Sequence, residues 1–223
     1  MAPAQTLEAP SNPWSRLSRK IREVGLRHTI ELLAWSIFPP AVFRFVRMRV
    51  LELAPSTAEP SGEAYWAKGG DAALQAFGHT PETIARRLAD GARVCVASDS
   101  IQTLGYVWFE SPHLEEDLGL RFIMGERETW LYDAMVNPEC RGRGIYPRLV
   151  RRAAYDLGRD GIERILIAVE TVNRNSIRSH QAAGATIIGT ITSLRLLGMT
   201  IAHYGRGWRV GFGALPLSAR AME

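Results

Sequence analysis

Four residues, Arg141-Gly-Arg-Gly144, carry the clearest chemistry in this sequence. The two glycines remove the Cβ atoms that would hold an anion away from backbone N–H groups. The two arginines place positive charge beside them. An apolar, strand-like run from Trp130 to Val136 comes before. A helical pattern comes after, with Leu149, Val150, Ala153 and Leu157 on one face and Arg148, Arg151, Arg152 and Asp156 on the other. A strand that ends in such a turn and opens a helix presents N–H groups that have no partner inside the helix. They also sit at the positive end of its dipole. The chemistry is binding of phosphate or diphosphate by main chain. A plain tight turn with exposed arginines uses the same residues and stays open as the bland alternative. The eight-residue P-loop is excluded, because no Gly-Lys-Ser/Thr follows. The dinucleotide fingerprint is excluded too, because its three-glycine spacing is missing.

Proton transfer has its candidates close by. Asp133 interrupts an otherwise apolar run, and a carboxylate inside a central strand is costly unless it is paired or wet. It is the first choice for a general base, with Glu128 on the same strand and Glu110 on the one before as alternatives. Tyr132 is a further polar group there. The structural alternative for Asp133 is a salt bridge, for instance to Arg121 or Arg141. His28, His79, His113 and His203 show no metal-ligand spacing, so no metal is expected. Cys140 adjoins the turn and is read as incidental.

These groups need elements to position them. Apolar residues from Trp14 to Trp35 recur at spacings of three and four, with Arg16, Arg19, Lys20 and Arg27 opposite, which predicts a basic amphipathic helix ended by Pro39-Pro40. Phe45 to Leu53 reads as a strand. Two helices are expected next, from Ala64 to Phe77 and from Thr80-Pro81 to Gly91. A hairpin follows, Ala92–Ala97 and Thr103–Glu110, then an acidic loop from Ser111 to Gly119. The strand into the turn runs from Arg127 to Val136, and the helix beyond it from Arg143 to Leu157. Arg164–Val169 reads as a central strand, Asn173–Ala183 as a helix and Gly184–Ile191 as a strand, with one or two more from Leu194 to Gly211. Strand, helix and strand around the turn require a parallel crossover, while the hairpin requires antiparallel pairing. The class is therefore α+β, a mixed, mostly antiparallel central sheet flanked by helices.

The 223 residues suffice for one domain with an extension: residues 1–50 as extension and 51–223 as the domain. Hydrophobic residues at 46% and charged residues at 22% are globular proportions. No apolar run reaches the ~18 residues that would cross a bilayer. Met1 to Pro13 lacks the basic start and apolar centre of a signal peptide, and two cysteines make no disulfide framework, so a cytoplasmic protein is expected. The net charge of +4 is carried almost wholly by arginines scattered among acids, a poor pattern for a nucleic-acid surface. Residues 14–49 could rest on an anionic membrane as a peripheral contact. The favoured use is packing on the domain or on a second copy of the chain, a homodimer.

Val136-x-Pro138-x-x-Arg141-Gly142-x-Gly144-Ile145 resembles the acyl-CoA-binding motif of the GNAT (N-acetyltransferase) superfamily, Gln/Arg-x-x-Gly-x-Gly/Ala. Arg141 and Gly144 match, and Tyr146 departs from the small last position. The resemblance implies that Arg141, Gly142, Arg143, Gly144, Ile145 and Tyr146 hold a CoA diphosphate. It also implies a main-chain oxyanion donor at Met135 or Val136. The family's second motif, Asn-x-x-Ala/Ser-x-x-x-Tyr-x-x-x-Gly-Phe, is matched by Asn173, Ser176 and Gly184. His180 stands at the Tyr position and Ala185 at the Phe position. His180 is then a candidate acid for the leaving thiolate, with an ordinary helix histidine as the alternative. Asn173 and Ser176 are expected beside the pantetheine, or Asn173 simply as a helix cap.

The implied activity is transfer of an acyl group from acetyl-CoA or another acyl-CoA to a small-molecule or peptide amine by direct attack. The competing readings are an acyl-CoA sensor without turnover, and a transferase taking a long-chain or carrier-protein donor. The resemblance covers about Leu51 to Val210.

Overall fold

The computed structural model describes residues 42–60, 64–68, 72–75, 77–99, 102–110, 113–116 and 119–218. The helix expected between Trp14 and Trp35 lies outside them. The described elements are β1 (Phe43–Leu53), β2 (Ala64–Trp66), α1 (Ala72–Gln75), α2 (Pro81–Ala89), β3 (Arg93–Ser98) and β4 (Thr103–Glu110). They continue with β5 (His113–Glu116), β6 (Leu120–Ile123), β7 (Glu128–Val136), α3 (Ile145–Arg159) and β8 (Arg164–Glu170). The last are α4 (Arg174–Ala183), β9 (Thr186–Leu196), β10 (Met199–Tyr204), β11 (Gly207–Phe212) and β12 (Leu215–Ser218).

Nine strands form one sheet in the order β11-β10-β9-β1-β8-β7-β4-β3-β2, and β12-β6-β5 form a second. In the large sheet only β7 and β8 pair in parallel, as the crossover through α3 requires. The class is the expected one, α+β with a mixed, mostly antiparallel sheet. β1 begins at Phe43, within the segment read as an extension, and lies in mid-sheet between β8 and β9.

Each face of the large sheet has its own cover. On one, α3 lays Ile145, Leu149, Val150, Ala153 and Leu157 onto Leu51, Val107, Leu131, Ile165 and Ile167. Each fully buried Leu or Ile there contributes about 2 kcal/mol relative to exposure. On the other face, Val46, Met48 and Val50 meet Leu120, Phe122, Leu215 and Leu217 of the second sheet. Nearby, Ile84 of α2 and Leu74 of α1 pack with Val94, Val96, Tyr106 and Trp108.

Two expectations need correction. Ala64–Trp66 is a strand paired with β3, and among the described residues of that span helix forms at Ala72–Gln75. The bulky aromatics Tyr65 and Trp66 favour a strand, and the Gly69-Gly70 pair is a poor helix interior. The Trp66 ring packs against Phe109, and its indole N–H donates to Asp156 at 3.0 Å. The expected loop from Ser111 to Gly119 contains β5, drawn into the second sheet by its pairing with β6.

The other boundaries follow their local signals. Thr80 caps α2 by accepting from the Thr83 N–H at 3.2 Å, with Pro81 at the first helical position. Asn173 caps α4 through the Ser176 N–H at 3.1 Å.

Candidate active site

β7 and β8 are paired only as far as Leu131 and Ile167. Beyond that row β7 runs on to Val136 and β8 to Glu170, so the strands part and open a cleft. The cleft has a volume of about 770 Å³ and is walled by both strand ends, the turn at Arg141–Gly144, the start of α3 and one side of α4.

The turn forms the mouth. After Val136, a 3₁₀ turn at Pro138–Cys140 is capped by Asn137, whose side chain accepts from the Glu139 N–H at 3.1 Å. Gly142 and Gly144 take positive φ of 77° and 68°, which the backbone needs to swing into α3. A Cβ at either position would meet nothing within 4 Å. Among the described residues, the N–H groups of Gly142, Arg143, Gly144, Ile145 and Tyr146 donate to no protein acceptor. Pro147, in the same first turn, has no N–H to offer. The expected row of bare amides is therefore present. Arg141 and Arg143 are exposed beside it, and the Arg141 Nε donates to the Val136 carbonyl at 3.3 Å. This cradle fits a diphosphate.

Tyr146 does not wall the amides off. Its ring turns toward α4 and meets His180 edge-on, 5.2 Å between centroids. The Tyr146 hydroxyl lies 2.9 Å from His180 Nδ1. Two of the three departures from the family pattern, Tyr146 and His180, thus contact each other, and both line the cleft. Burial pushes the Tyr146 phenol well above its usual range. It lowers the His180 pKa to about 4, so the imidazole is neutral near pH 7.

That shift predicts an acid sensitivity. The folded pKa lies below the ordinary histidine value, so between the two the unfolded chain binds more protons. The stability tied to this group is complete above about pH 6.5 and fades as pH falls toward about 4, by roughly 3 kcal/mol. Thermal melts of the wild type and His180→Gln across this window should show the loss in the wild type and a flatter profile in the variant.

The β7 edge of the cleft carries a β-bulge. Val107 pairs with Ala134 and Trp108 with Tyr132, which leaves Asp133 as the extra residue at φ 43°. The bulge turns the Asp133 carboxylate to Arg87 of α2, with which it forms an ion pair, and to the Tyr106 hydroxyl, which donates to it at 3.0 Å. His79 Nε2 stands 3.9 Å away. The pairing partner is therefore Arg87 and neither Arg121 nor Arg141. Arg87 also lies over the Tyr132 ring at 5.3 Å. Burial raises the Tyr132 and Tyr106 phenols, helped at Tyr106 by the Asp133 charge. Arg87, Tyr106 and His79 had no signal in the sequence, because they come from other elements.

At the end of β7 the Met135 carbonyl lies against β4: a Cβ on Gly105 would come within 2.7 Å of it. N–H and C=O of one strand residue point the same way, and neighbours alternate. The Met135 N–H therefore faces β4, and that of Val136 faces the gap. Of the two candidates for a main-chain donor, Val136 has the useful orientation.

Glu128 stands elsewhere. It is buried at the opening end of β7, five residues before Asp133, or about 17 Å along a strand. There it accepts from Arg164 at 3.1 Å and from the Gly125 N–H at 2.8 Å, and it does not line the cleft. Glu110 pairs with Trp130 near the same end. The Arg164 guanidinium bridges Glu128 to Glu52, so Glu128 is part of a structural ion network. Cys140 is buried, with the Gln102 amide donating to its sulfur at 3.5 Å. Asn173 and Ser176 line the cleft from the start of α4, Asn173 while capping the helix.

Among solved structures, the fold is similar to a GCN5-related N-acetyltransferase from Sphaerobacter thermophilus, at 15% identity and TM-score 0.49, over 82% of this chain and 58% of that one. A ribosomal-protein-alanine N-acetyltransferase from Brucella melitensis aligns at 20% identity and TM-score 0.43, over 55% of this chain and 83% of its own. A GNAT family acetyltransferase from the same organism, in complex with acetyl-CoA, aligns at 19% identity and TM-score 0.34, over 52% and 82%. The chain thus spans less than two thirds of the Sphaerobacter protein. No curated protein sequence matches it significantly. The model of the acetyltransferase (GNAT) family matches residues 62–185, more than half of the chain and the whole of the turn and both cleft strands. By that match, this protein belongs to the GNAT family of acetyltransferases.

Proposed function

We propose that this protein transfers an acyl group from an acyl-CoA thioester to an amine that attacks it directly. One observation carries the reading: a row of backbone N–H groups from Gly142 to Tyr146, with no acceptor among the described residues, at the mouth of the cleft where β7 and β8 part. Gly142 to Tyr146 would hold the diphosphate, with Arg141 and Arg143 adding charge. When bound, the thioester supplies an electrophilic carbonyl and a thiol leaving group.

The chain's own groups then divide the work. The Val136 N–H donates toward the oxygen that gains charge. The Tyr146 hydroxyl gives a proton to the departing sulfur. His180, neutral and buried, fixes that hydroxyl. With its proton on Nδ1 it donates to the tyrosine oxygen and leaves the tyrosine proton free for the cleft. Asp133, held at the bulge by Arg87 and Tyr106, accepts the proton that the amine loses. Glu128 has no part in this scheme.

Thiol release from acetyl-CoA and longer acyl-CoA donors, measured with a panel of small amines and N-terminal peptides, tests the reading. Release that depends on an amine is expected. CoA binding without turnover on any amine would instead make the protein an acyl-CoA sensor.

A further inference from the structure

The sheet face that carries α3 and α4 continues past β1 onto β9, β10 and β11, and there its chemistry changes. The register aligns Phe43, Leu196, Met199 and Phe212 in one row across four strands. A second apolar row follows and ends in Val210. The third row runs Arg47, Thr192, His203, Trp208. Phe212 is 83% exposed, Trp208 65%, Val210 64%, and Leu197 in the adjoining turn 74%. Scattered apolar residues on a surface need no explanation, but a contiguous patch marks a place where something docks.

The charge around the patch says what docks. Residues 186–212, which make β9, β10, β11 and their turns, include Arg195, Arg206 and Arg209 and neither an aspartate nor a glutamate. Arg47 is exposed on the Trp208 row, and Arg206 is exposed in the turn between β10 and β11. A second copy joined edge to edge through β11 would bring two sets of these arginines together, which opposes pairing. An anionic partner matches them.

The order of the rows selects among anionic partners. Along β11 apolar side chains come first and then a tryptophan, with Arg206 in the turn beyond it and Arg47 of β1 on the tryptophan's own row. Trp208 and Phe212 are four residues apart, about 13 Å along β11. An interfacial segment sinks its apolar face roughly 5–10 Å below the headgroups, with aromatic rings and basic side chains at headgroup level. The Phe212 and Val210 rows span about 7 Å, which fits that depth. The chain enters β1 from the same corner, since the Leu197 N–H donates to the Val42 carbonyl at 2.9 Å. The segment before it is basic and amphipathic in sequence. No described helix is long and apolar enough to cross a membrane.

We propose that this end of the sheet is a docking surface for an anionic lipid bilayer. Phe212 and Val210 enter the acyl boundary, while Trp208, Arg47 and Arg206 lie among the headgroups. The transferase would then work on acceptors presented at a membrane.

Flotation of the full chain with vesicles tests this without any acyl-CoA. Binding is expected to vesicles of phosphatidylcholine with phosphatidylglycerol and not to phosphatidylcholine alone, and it should weaken as salt rises. The double variant Trp208→Ser/Phe212→Ser should lower partitioning at least about tenfold, and Arg206→Gln about fivefold. Both substituted aromatics are exposed, so an unchanged melting temperature and CoA affinity are expected alongside. Wild type that floats with neither vesicle overturns the proposal, as does a double variant that floats like wild type. A wild-type dimer that the double variant converts to monomer in light scattering would assign the face to a second copy and equally overturn it.

Discussion

Gly144→Glu is expected to weaken CoA binding by at least about 100-fold while the protein stays folded. The glycine sits at φ 68°, where another residue loses roughly 1–2 kcal/mol. The added Cβ meets nothing within 4 Å, so no further clash is added. A carboxylate would, however, be delivered in front of the amides that are free to take a diphosphate. Each hydrogen bond to a charged group contributes about 1.5–3 kcal/mol, and losing two gives a hundredfold or more. Calorimetry with CoA reads the effect, and a thermal melt separates it from unfolding. Unchanged affinity in a folded variant would show that the diphosphate is held elsewhere.

Tyr146→Phe is expected to slow turnover about 100-fold and to leave CoA affinity nearly unchanged. The substitution removes one oxygen from a ring that otherwise keeps its packing against His180. A positioned proton donor contributes roughly 10²–10⁴-fold, and the lower end suits a step that an ordered water can partly serve. The loss should fall on kcat, because in the proposed scheme the hydroxyl acts on the leaving sulfur and not on the bound diphosphate. A variant with wild-type kcat would remove Tyr146 from the mechanism and leave its contact with His180 as packing.

The part of the site that sequence revealed is the part built from neighbours in the chain. Strand, turn and helix from Trp130 to Leu157 are contiguous, so glycine spacing and the 3.6-residue period expose them together. The Asn173 cap is legible for the same reason. The Tyr146–His180 contact spans 34 positions, and the Arg87–Asp133 pair 46. Asp133, Tyr146 and His180 stand out in the sequence, but nothing local names the partner that each one meets, and Arg87 gives no signal at all. Nothing local says that a bulge will turn Asp133 toward α2. The second sheet was hidden by distance as well. Leu120 and Leu215 are paired strand residues 95 positions apart, and each strand is four residues long, too short for a period to show. Glu128 misleads in the opposite way: a carboxylate on the right strand lies at the wrong end of it, beside Arg164.

β1 is the first described strand to be made, yet its neighbours are β8 and β9. Phe43 pairs with Leu196, so 153 residues separate it from that partner. At about 5–20 residues per second, a ribosome needs roughly 8–30 s to supply them. Until β8 emerges, Val46, Met48, Val50 and Leu51 are out of the exit tunnel with no strand to join. Such an apolar stretch is what holding chaperones bind. The nascent protein therefore has a long window of vulnerability on its way to the folded state, one that narrows when β8 emerges and closes when β9 does.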